Sequence, residues 1–398
     1  MIHLIIRLPL PYQQTLCQTL SDAYGGAFVA WIAERNSEEF PYRSSTELQF
    51  AHHYLSEVGY WKLYQELRAD PEAVVILGGW SSPMTNKTLL MTTLLRVPVF
   101  VWADHPHPRK RSWGAARSRK LYLRFLARVV AGFLACGEPT VEHLASLGIE
   151  RSRITNFPYW VELPLEWSVP RRCVDDEMAR QPLRLLAIGR LVPVKQFAVA
   201  IEAVALANRR ASSTLATLVI AGDGPERKSL EKLASSLKCE SSIQFPGWLE
   251  PEDVCRTLRE SDALIVPSEF EPFGVVVLES MAQGRTVLAS QQVIAALDRD
   301  LGTGAVLLHL VGDVEALANQ VSQLATDSVK LAKGSVAARA TAESWAPERA
   351  AAILDEILSR RHIRMSPRSD QSNVLTSRSI EDPTEQRIEV NAVASGGR

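Results

Sequence analysis

The chain is expected to be an α/β protein with two Rossmann-like, doubly wound parallel-sheet domains facing a central cleft. Three observations predict this. Short β-rich runs alternate with helical periodicity along most of the 398 residues, the pattern of βα units feeding parallel sheets. The length exceeds what one core can organise and suits two domains of about 150–200 residues. A stretch with four prolines and mixed charge, 157–182, divides the series in two.

The first series has strand candidates at HLIIRL (3–8), GAFVAWI (26–32), AVVILGG (73–79), VPVFVWA (97–103) and VAGFLAC (130–136). Helical periodicity separates them, for example over Gln13–Ala23 and Asn86–Leu95. The second series runs through LRLLAIG (183–189), ATLVIAG (216–222), SIQFPG (242–247), ALIVPS (263–268) and TVLAS (286–290), each followed by a loop and a helix. The expected layout is a first domain over 1–165, a connection over 166–182 and a second domain over 183–346. A C-terminal helix at 347–361 should pack near the domain junction. The tail at 362–398, rich in Ser, Arg and Glu and without periodicity, is expected to be disordered.

Apolar residues make up 46% and charged residues 22%, the balance of a soluble globular protein. A net charge of −1 argues against a nucleic-acid partner. The five cysteines are scattered, without C-x-x-C spacing, and read as reduced thiols of a cytoplasmic protein. The opening MIHLIIRLPLPY has too short an apolar run for a signal peptide, and no run of about 18 apolar residues predicts a membrane span.

The second series carries the chemistry in three strand-end loops, which a parallel sheet gathers at its carboxyl edge. In IGRLVPVKQ, Arg190 and Lys195 suit a doubly charged phosphate ester; alternatively they are two solvated surface cations. In AGDGPERKSLE, Gly222 and Gly224 make a tight strand-to-helix turn, for which, taken by itself, a plain turn with an Asp cap is the better account. The third loop, SEFEPFGVVVLESMAQG (268–284), leads from a buried strand into a helix starting near Phe273–Gly274 and stopping at Gly284. The free N–H groups there suit phosphate oxygens. Glu271 lies before the helix, where its carboxylate can reach hydroxyls beyond the phosphates. Glu279 lies inside it on an otherwise apolar face, where a lone carboxylate is costly and a ribose diol is a fitting partner. Glu269 has Val277 at the same offset, so Glu271 alone pairs with a helix carboxylate.

The stretches GRLVPVK (189–195), GDGP (222–225), IQFPGWL (243–249) and PSEFEPFGVVVLESMAQG (267–284) resemble the retaining glycosyltransferases of family 4, with their E-x7-E signature. The resemblance covers 183–360 well and 73–162 more loosely. It implies the two-domain GT-B fold and transfer of a sugar from a nucleotide-diphosphate sugar, UDP- or GDP-linked, to a hydroxyl acceptor with retained anomeric configuration. Arg190 and Lys195 would hold the diphosphate and Glu271 the sugar hydroxyls. Backbone amides of Phe273, Gly274, Val275 and Val276 would contact sugar and phosphates, and Glu279 the ribose. The base would lie against the FPGWL loop with Trp248, held mostly by backbone, and Gly222 would belong to the same donor site. No metal or other cofactor is implied. The literal Asp298-Arg299-Asp300 sits in an Ala- and Leu-rich helical context and not at a strand end, so no metal site is assigned to it. Gln196 departs from the pattern, which usually has Gly after the lysine.

The resemblance makes the first domain the acceptor side and gives it one histidine beside the donor sugar. His105, in VWADHPHPRKRS and flanked by Asp104 and His107, is the candidate; a loop histidine without a role is the alternative. Trp80 could stack on a sugar or belong to the core. The family's glycine pair after the first strand is replaced by LPLPYQQ.

Between Pro106 and Gly137 there are eight Arg or Lys residues and no acid. Leu121, Phe125, Leu126, Val129 and Val130 recur there at near-helical spacing. The segment 107–128 therefore reads either as a basic amphipathic helix touching anionic lipid on the inner face of a membrane, or as a sheet-packed helix with a solvated basic face. The expected partners are a nucleotide-sugar donor and a sugar or lipid-linked sugar acceptor, in polysaccharide or glycolipid assembly. Two rivals stand beside this. A sugar-nucleotide epimerase would consume donor without an acceptor, and a non-catalytic binder would be indifferent to loss of Glu271.

Overall fold

The computed structural model describes residues 1–35, 48–80, 82–107, 113–300, 302–361 and 363. Arg109, Lys110, Arg111 and the tail beyond 363 lie outside the described residues.

The first half contains β1 (Ile2–Ile6), α1 (Pro11–Tyr24), β2 (Phe28–Ile32), β3 (His52–Tyr54), α2 (Leu55–Ala69) and β4 (Val74–Gly78). It continues with α3 (Pro83–Leu95), β5 (Val99–Ala103), α4 (Trp113–Val129), β6 (Gly132–Ala135), α5 (Glu138–Ser146) and β7 (Ile154–Asn156). A short turn of helix, α6 (Asp176–Ala179), lies in the connection. The second half contains β8 (Leu183–Ile188), α7 (Phe197–Ala211), β9 (Ala216–Ala221), α8 (Arg227–Ser236), β10 (Ile243–Gly247), α9 (Pro251–Glu260) and β11 (Ala263–Val266). There follow α10 (Val275–Ala282), β12 (Thr286–Ser290), α11 (Ile294–Arg299), β13 (Val306–His309), α12 (Val314–Thr326), α13 (Ser328–Glu343) and α14 (Arg349–Arg360).

All strand pairs are parallel. The first sheet runs β3-β2-β1-β4-β5-β6-β7 and the second β10-β9-β8-β11-β12-β13. In each, the chain starts at a central strand, winds outward one way, and returns to wind the other way. The order therefore reverses between β1 and β4 in one sheet and between β8 and β11 in the other. Such a switch point opens a crevice at the carboxyl ends of the two strands, because their loops diverge to opposite faces.

The strand candidates from the sequence map onto β1, β2, β4, β5, β6, β8, β9, β10, β11 and β12. Three strands had no sequence signal: β3, β7 and β13. All three are edge strands of three or four residues. An edge strand is shielded on one side only, so it needs neither the length nor the apolar run that marks a central one.

Three apolar clusters build the core. One lies between α2, α3, α4 and α5 and one face of the first sheet, with Leu63, Met84, Leu123, Leu126 and Leu144 packed on Val75, Val101 and Phe133. Another joins α7, α8 and α12 to the second sheet. The largest spans both halves, linking Leu16 of α1, Phe157 and Trp160 to Met281 of α10 and Leu354 of α14. The C-terminal helix α14 is pinned to α1, with the Tyr24 hydroxyl donating to Asp355 at 2.7 Å. Among the described residues no helix is long and apolar enough to cross a membrane.

Candidate active site

The loops after β8, β9, β10 and β11 meet at the second sheet's switch point. Backbone contact closer than a side chain would permit joins the first two. Gly222 has φ +134°, and a Cβ there would stand 2.0 Å from the Gly189 carbonyl oxygen. Gly189 N–H in turn donates to Ala221, and Gly222 N–H to Gly247. Glycine is required here by the approach of two main chains, as well as by the dihedral.

Lys195 ends a short 3₁₀ turn, Pro193–Lys195, directly before α7. Gln196 then adopts φ +49°, ψ +40°. That is the left-handed region, which explains why glycine suits this position and shows what the glutamine costs. Its Oε1 is buried without a hydrogen-bond partner.

Glu271 is held through its backbone: its N–H donates to Gln292 at 3.0 Å, and its carbonyl accepts from Ile294. Its carboxylate accepts a hydrogen bond from the Lys195 ammonium, both side chains being largely buried. Gly274, at φ +98°, opens α10; a Cβ there would lie 2.9 Å from Glu271 Cγ, so only glycine lets the carboxylate side chain lie over the helix start. Glu269, the competing acid, is exposed.

A cleft of about 900 Å³ lies between the halves. The second half contributes Gly189, Arg190, Gly222, Trp248, Val276 and Glu279 to its wall, and the first half Tyr12, Gln14 and Phe50. Five of the residues singled out from sequence therefore share this space: Arg190, Gly222, Trp248, Val276 and Glu279. Lys195, Glu271, Phe273, Gly274 and Val275 sit outside its lining. The Glu279 carboxylate has no hydrogen-bond partner among the described residues, and the surrounding protein desolvates it enough to push its pKa up to about 7.

The first half faces this wall with groups that sequence reasoning missed. Tyr12, in the LPLPYQQ stretch, lies edge-on to Tyr159 with ring centroids 4.5 Å apart. Tyr159 packs at 5.3 Å on Phe273 at the start of the α10 region. Its hydroxyl donates to Asp104 Oδ1 at 2.9 Å. Asp104 is exposed, yet desolvation raises its carboxyl above the usual range, and the charge of Glu271 adds to this.

His105 lies differently. Its Nδ1 is 3.1 Å from the Pro106 carbonyl oxygen, and its ring centroid is 5.2 Å from that of His143 and 6.1 Å from that of Phe270. Burial lowers its pKa. The ring thus lies between His143 of α5 and Phe270, the residue before Glu271, while its neighbour Asp104 accepts from Tyr159. His107 packs on Phe270 at 4.7 Å. Trp80 carries the Arg119 guanidinium 4.8 Å over its ring. The only signals for Tyr12 and Tyr159 were aromatic residues in strand-end and connecting segments, too common to single out.

Asp298 has a structural task. Its Oδ1 accepts from Glu138 N–H at 2.6 Å and from Asn156 Nδ2 at 3.3 Å, so it caps α5 of the first half from α11 of the second. Oδ2 lies 2.6 Å from Arg299, whose guanidinium stacks 4.0 Å over Trp345. Among the described residues no group of three His, Cys, Asp or Glu side chains is placed to hold a metal.

Residues 177–341 match the family described as glycosyl transferases group 1. Over 144 residues the chain is 33% identical to the lipopolysaccharide core biosynthesis glycosyltransferase LpsE of Rhizobium meliloti, covering 36% of this chain and 40% of that protein. It is 27% identical over 226 residues to the putative glycosyltransferase EpsF of Bacillus subtilis, covering 55% and 58%. The chain thus spans less than two thirds of the length of these curated relatives. Among solved structures, HepE of Anabaena in complex with UDP superposes with a TM-score of 0.70 at 17% identity, over 90% of this chain and 99% of that one. This likeness is one of fold, the GT-B arrangement. The stretch 177–341 thus matches the group 1 glycosyl transferases, in a chain that has the GT-B fold.

Proposed function

We propose that the protein transfers a sugar from a nucleoside-diphosphate sugar to a hydroxyl acceptor with retention of configuration, in assembly of a polysaccharide or glycolipid. The observation that carries this reading is the unpartnered Glu279 carboxylate beside Arg190 and Trp248 in the cleft. A ribose diol supplies the two donors that such a carboxylate lacks. Trp248 and the Gly222 turn border the base, and Arg190 meets the phosphates. The kinship with LpsE and EpsF favours the same class of reaction.

In this reading the donor enters the switch-point crevice, and its diphosphate draws Lys195 away from Glu271. Glu271 is then released to the hydroxyls of the transferred sugar. The bond from the anomeric carbon to the phosphate oxygen breaks through an oxocarbenium-like state. Charge developing on the leaving diphosphate is met by Arg190, Lys195 and the amides that open α10. The acceptor oxygen bonds to the anomeric carbon from the face the diphosphate leaves, and its proton passes to the departing phosphate oxygen. We assign Asp104, seated by Tyr159, to the acceptor side of this centre, in place of His105.

The test is thermal-shift titration with UDP, GDP, ADP and their sugars, on the wild-type chain and Arg190→Ala. One diphosphate at a hundred times its Kd should stabilise by about 2.7 kcal/mol, and the shift should vanish in the variant. No shift with any of them overturns the assignment.

A further inference from the structure

Helix α1 opens at the cleft with little of its backbone free to donate. Pro11, its first residue, has no N–H. Gln13 and Gln14 N–H both donate to the Leu10 carbonyl, at 2.8 and 2.9 Å. Leu10 N–H donates to Gln13 Oε1 at 3.4 Å, and Gln14 Nε2 to the Pro9 carbonyl at 2.6 Å. The LPLPYQQ turn is braced from within. It cannot present the row of main-chain amides that a helix start otherwise turns to an anion.

The first half places no lysine, arginine or histidine in the cleft lining. Any donor it offers to a phosphate is therefore a neutral one. Four polar side chains of α1 line the cleft: Tyr12, Gln14, Thr15 and Gln18. Gln14 is engaged by Pro9, Thr15 donates to the Pro11 carbonyl at 3.3 Å, and Gln18 donates to Asp22 at 2.7 Å. That leaves Tyr12. Its ring is fixed edge-on to Tyr159, which in turn packs on Phe273 beside the α10 opening. No hydrogen bond among the described residues engages its hydroxyl.

Burial raises the pKa of this phenol, and Asp104, Cys136, Glu271 and Glu279 each add to the rise, in that order. The hydroxyl thus stays protonated, as a donor must, and it feels both carboxylates of the second half, Glu271 more than Glu279. In the donor reading Glu271 meets the transferred sugar and Glu279 the ribose, so the two phosphates lie between them. The stronger influence of Glu271 sets the hydroxyl toward the sugar end of that span, where the second phosphate lies.

Resting on that reading, we infer that the Tyr12 hydroxyl donates a hydrogen bond to the β-phosphate of the donor from the first-half wall, facing Arg190 and the α10 amides across the ligand. The proton stays on the phenol throughout. What the contact supplies is a fixed neutral donor to the charge that builds on the phosphate as its bond to the anomeric carbon breaks. Tyr12 is then a catalytic residue contributed by the first half, in a turn whose own amides are already committed.

Calorimetric titration of the full chain and of Tyr12→Phe with UDP, GDP, ADP and the three matching monophosphates tests this. Phenylalanine keeps the ring on Tyr159 and removes the hydroxyl alone. The diphosphate that binds the wild type should bind the variant about ten-fold or more weakly, the scale of one hydrogen bond to a charged acceptor. The matching monophosphate, which has no β-phosphate, should stay within about two-fold. The ratio between the two proteins should hold from pH 6 to pH 9, because the phenol is protonated over that whole range. Unchanged diphosphate affinity in the variant overturns the inference and leaves the donor site standing. Equal losses for diphosphate and monophosphate also overturn it, and would give Tyr12 a part in the shape of the cleft only. A wild type that binds none of these nucleotides overturns the donor reading itself, and this inference with it.

Discussion

Lys195 donates to Glu271 across 76 residues of sequence, so the two side chains expected on different parts of one substrate bind each other instead. The ammonium leads the α7 turn, and the carboxylate hangs over the Gly274 opening of α10. Each neutralises a charge that would otherwise sit half-buried and uncompensated. A diphosphate must therefore compete with Glu271 for the lysine.

This competition predicts opposite effects on binding and transfer for Glu271→Gln. UDP, which has no sugar for Glu271 to contact, should bind about five-fold more tightly because Lys195 is released from its ion pair. Transfer should fall by about 10²–10³ in kcat, the scale of losing one contact made in the transition state. Calorimetric titration with UDP beside steady-state kinetics reads both, and weaker UDP binding would show that the pair does not restrain the lysine.

Glu279 predicts a pH dependence whose sign follows from its raised pKa of about 7. Only the ionised carboxylate accepts from both ribose hydroxyls, so nucleoside-diphosphate affinity should rise by up to about ten-fold from pH 6 to pH 8. Glu279→Gln should flatten that profile. In the free protein the linkage runs the other way. The raised pKa contributes stability that is complete below the unfolded value of 4.5 and is lost as pH climbs through 7. The unliganded wild type should lose about 1–3 kcal/mol against Glu279→Gln over that window.

Asp104 and His105 are adjacent in sequence and separable by mutation. Asp104→Asn should leave the donor KM within about three-fold and lower kcat by about 10²–10³. His105→Ala should change kcat by less than about five-fold. The reverse outcome would return the acceptor-side role to the histidine.

Gln196 stores strain at φ +49° and buries an unpaired side-chain oxygen. Gln196→Gly should raise stability by about 0.5–1 kcal/mol, the left-handed penalty less the entropy of the added glycine. A urea midpoint that rises at unchanged m-value is the readout.

Gly222→Ala tests the meeting of two main chains. A Cβ 2.0 Å from the Gly189 carbonyl forces the β8 and β9 loops apart. Stability should fall by about 2–4 kcal/mol and nucleotide binding should go with it. A variant of wild-type stability would mean that the loops yield freely.

What could be read without coordinates followed from locality. Arg190, Lys195, Glu271 and Glu279 were legible because each lies in or beside a strand-end loop whose flanking strand and helix announce themselves by period. The short edge strands β3, β7 and β13 were not, since half-shielded strands need no apolar run. Leu121, Phe125 and Val129 looked like partners of Leu126 and Val130. The structure sends the two sets to opposite sides of α4, because these apolar positions, spread over ten residues, cannot all fit one stripe.

The amino-acid sequence alone determined that this is a tandem parallel α/β chain with glycine-rich strand-end loops in its second half, because βα periodicity, strand-end loops and glycine turns are local. Tertiary structure alone decided which groups confront each other. The Lys195–Glu271 pair, Tyr159 seating Asp104, and Asp298 capping α5 from α11 all join residues that the chain separates by 55 or more positions. Such contacts depend on where a sheet's switch point brings its loops and how one half is set against the other. No short window of sequence contains that geometry.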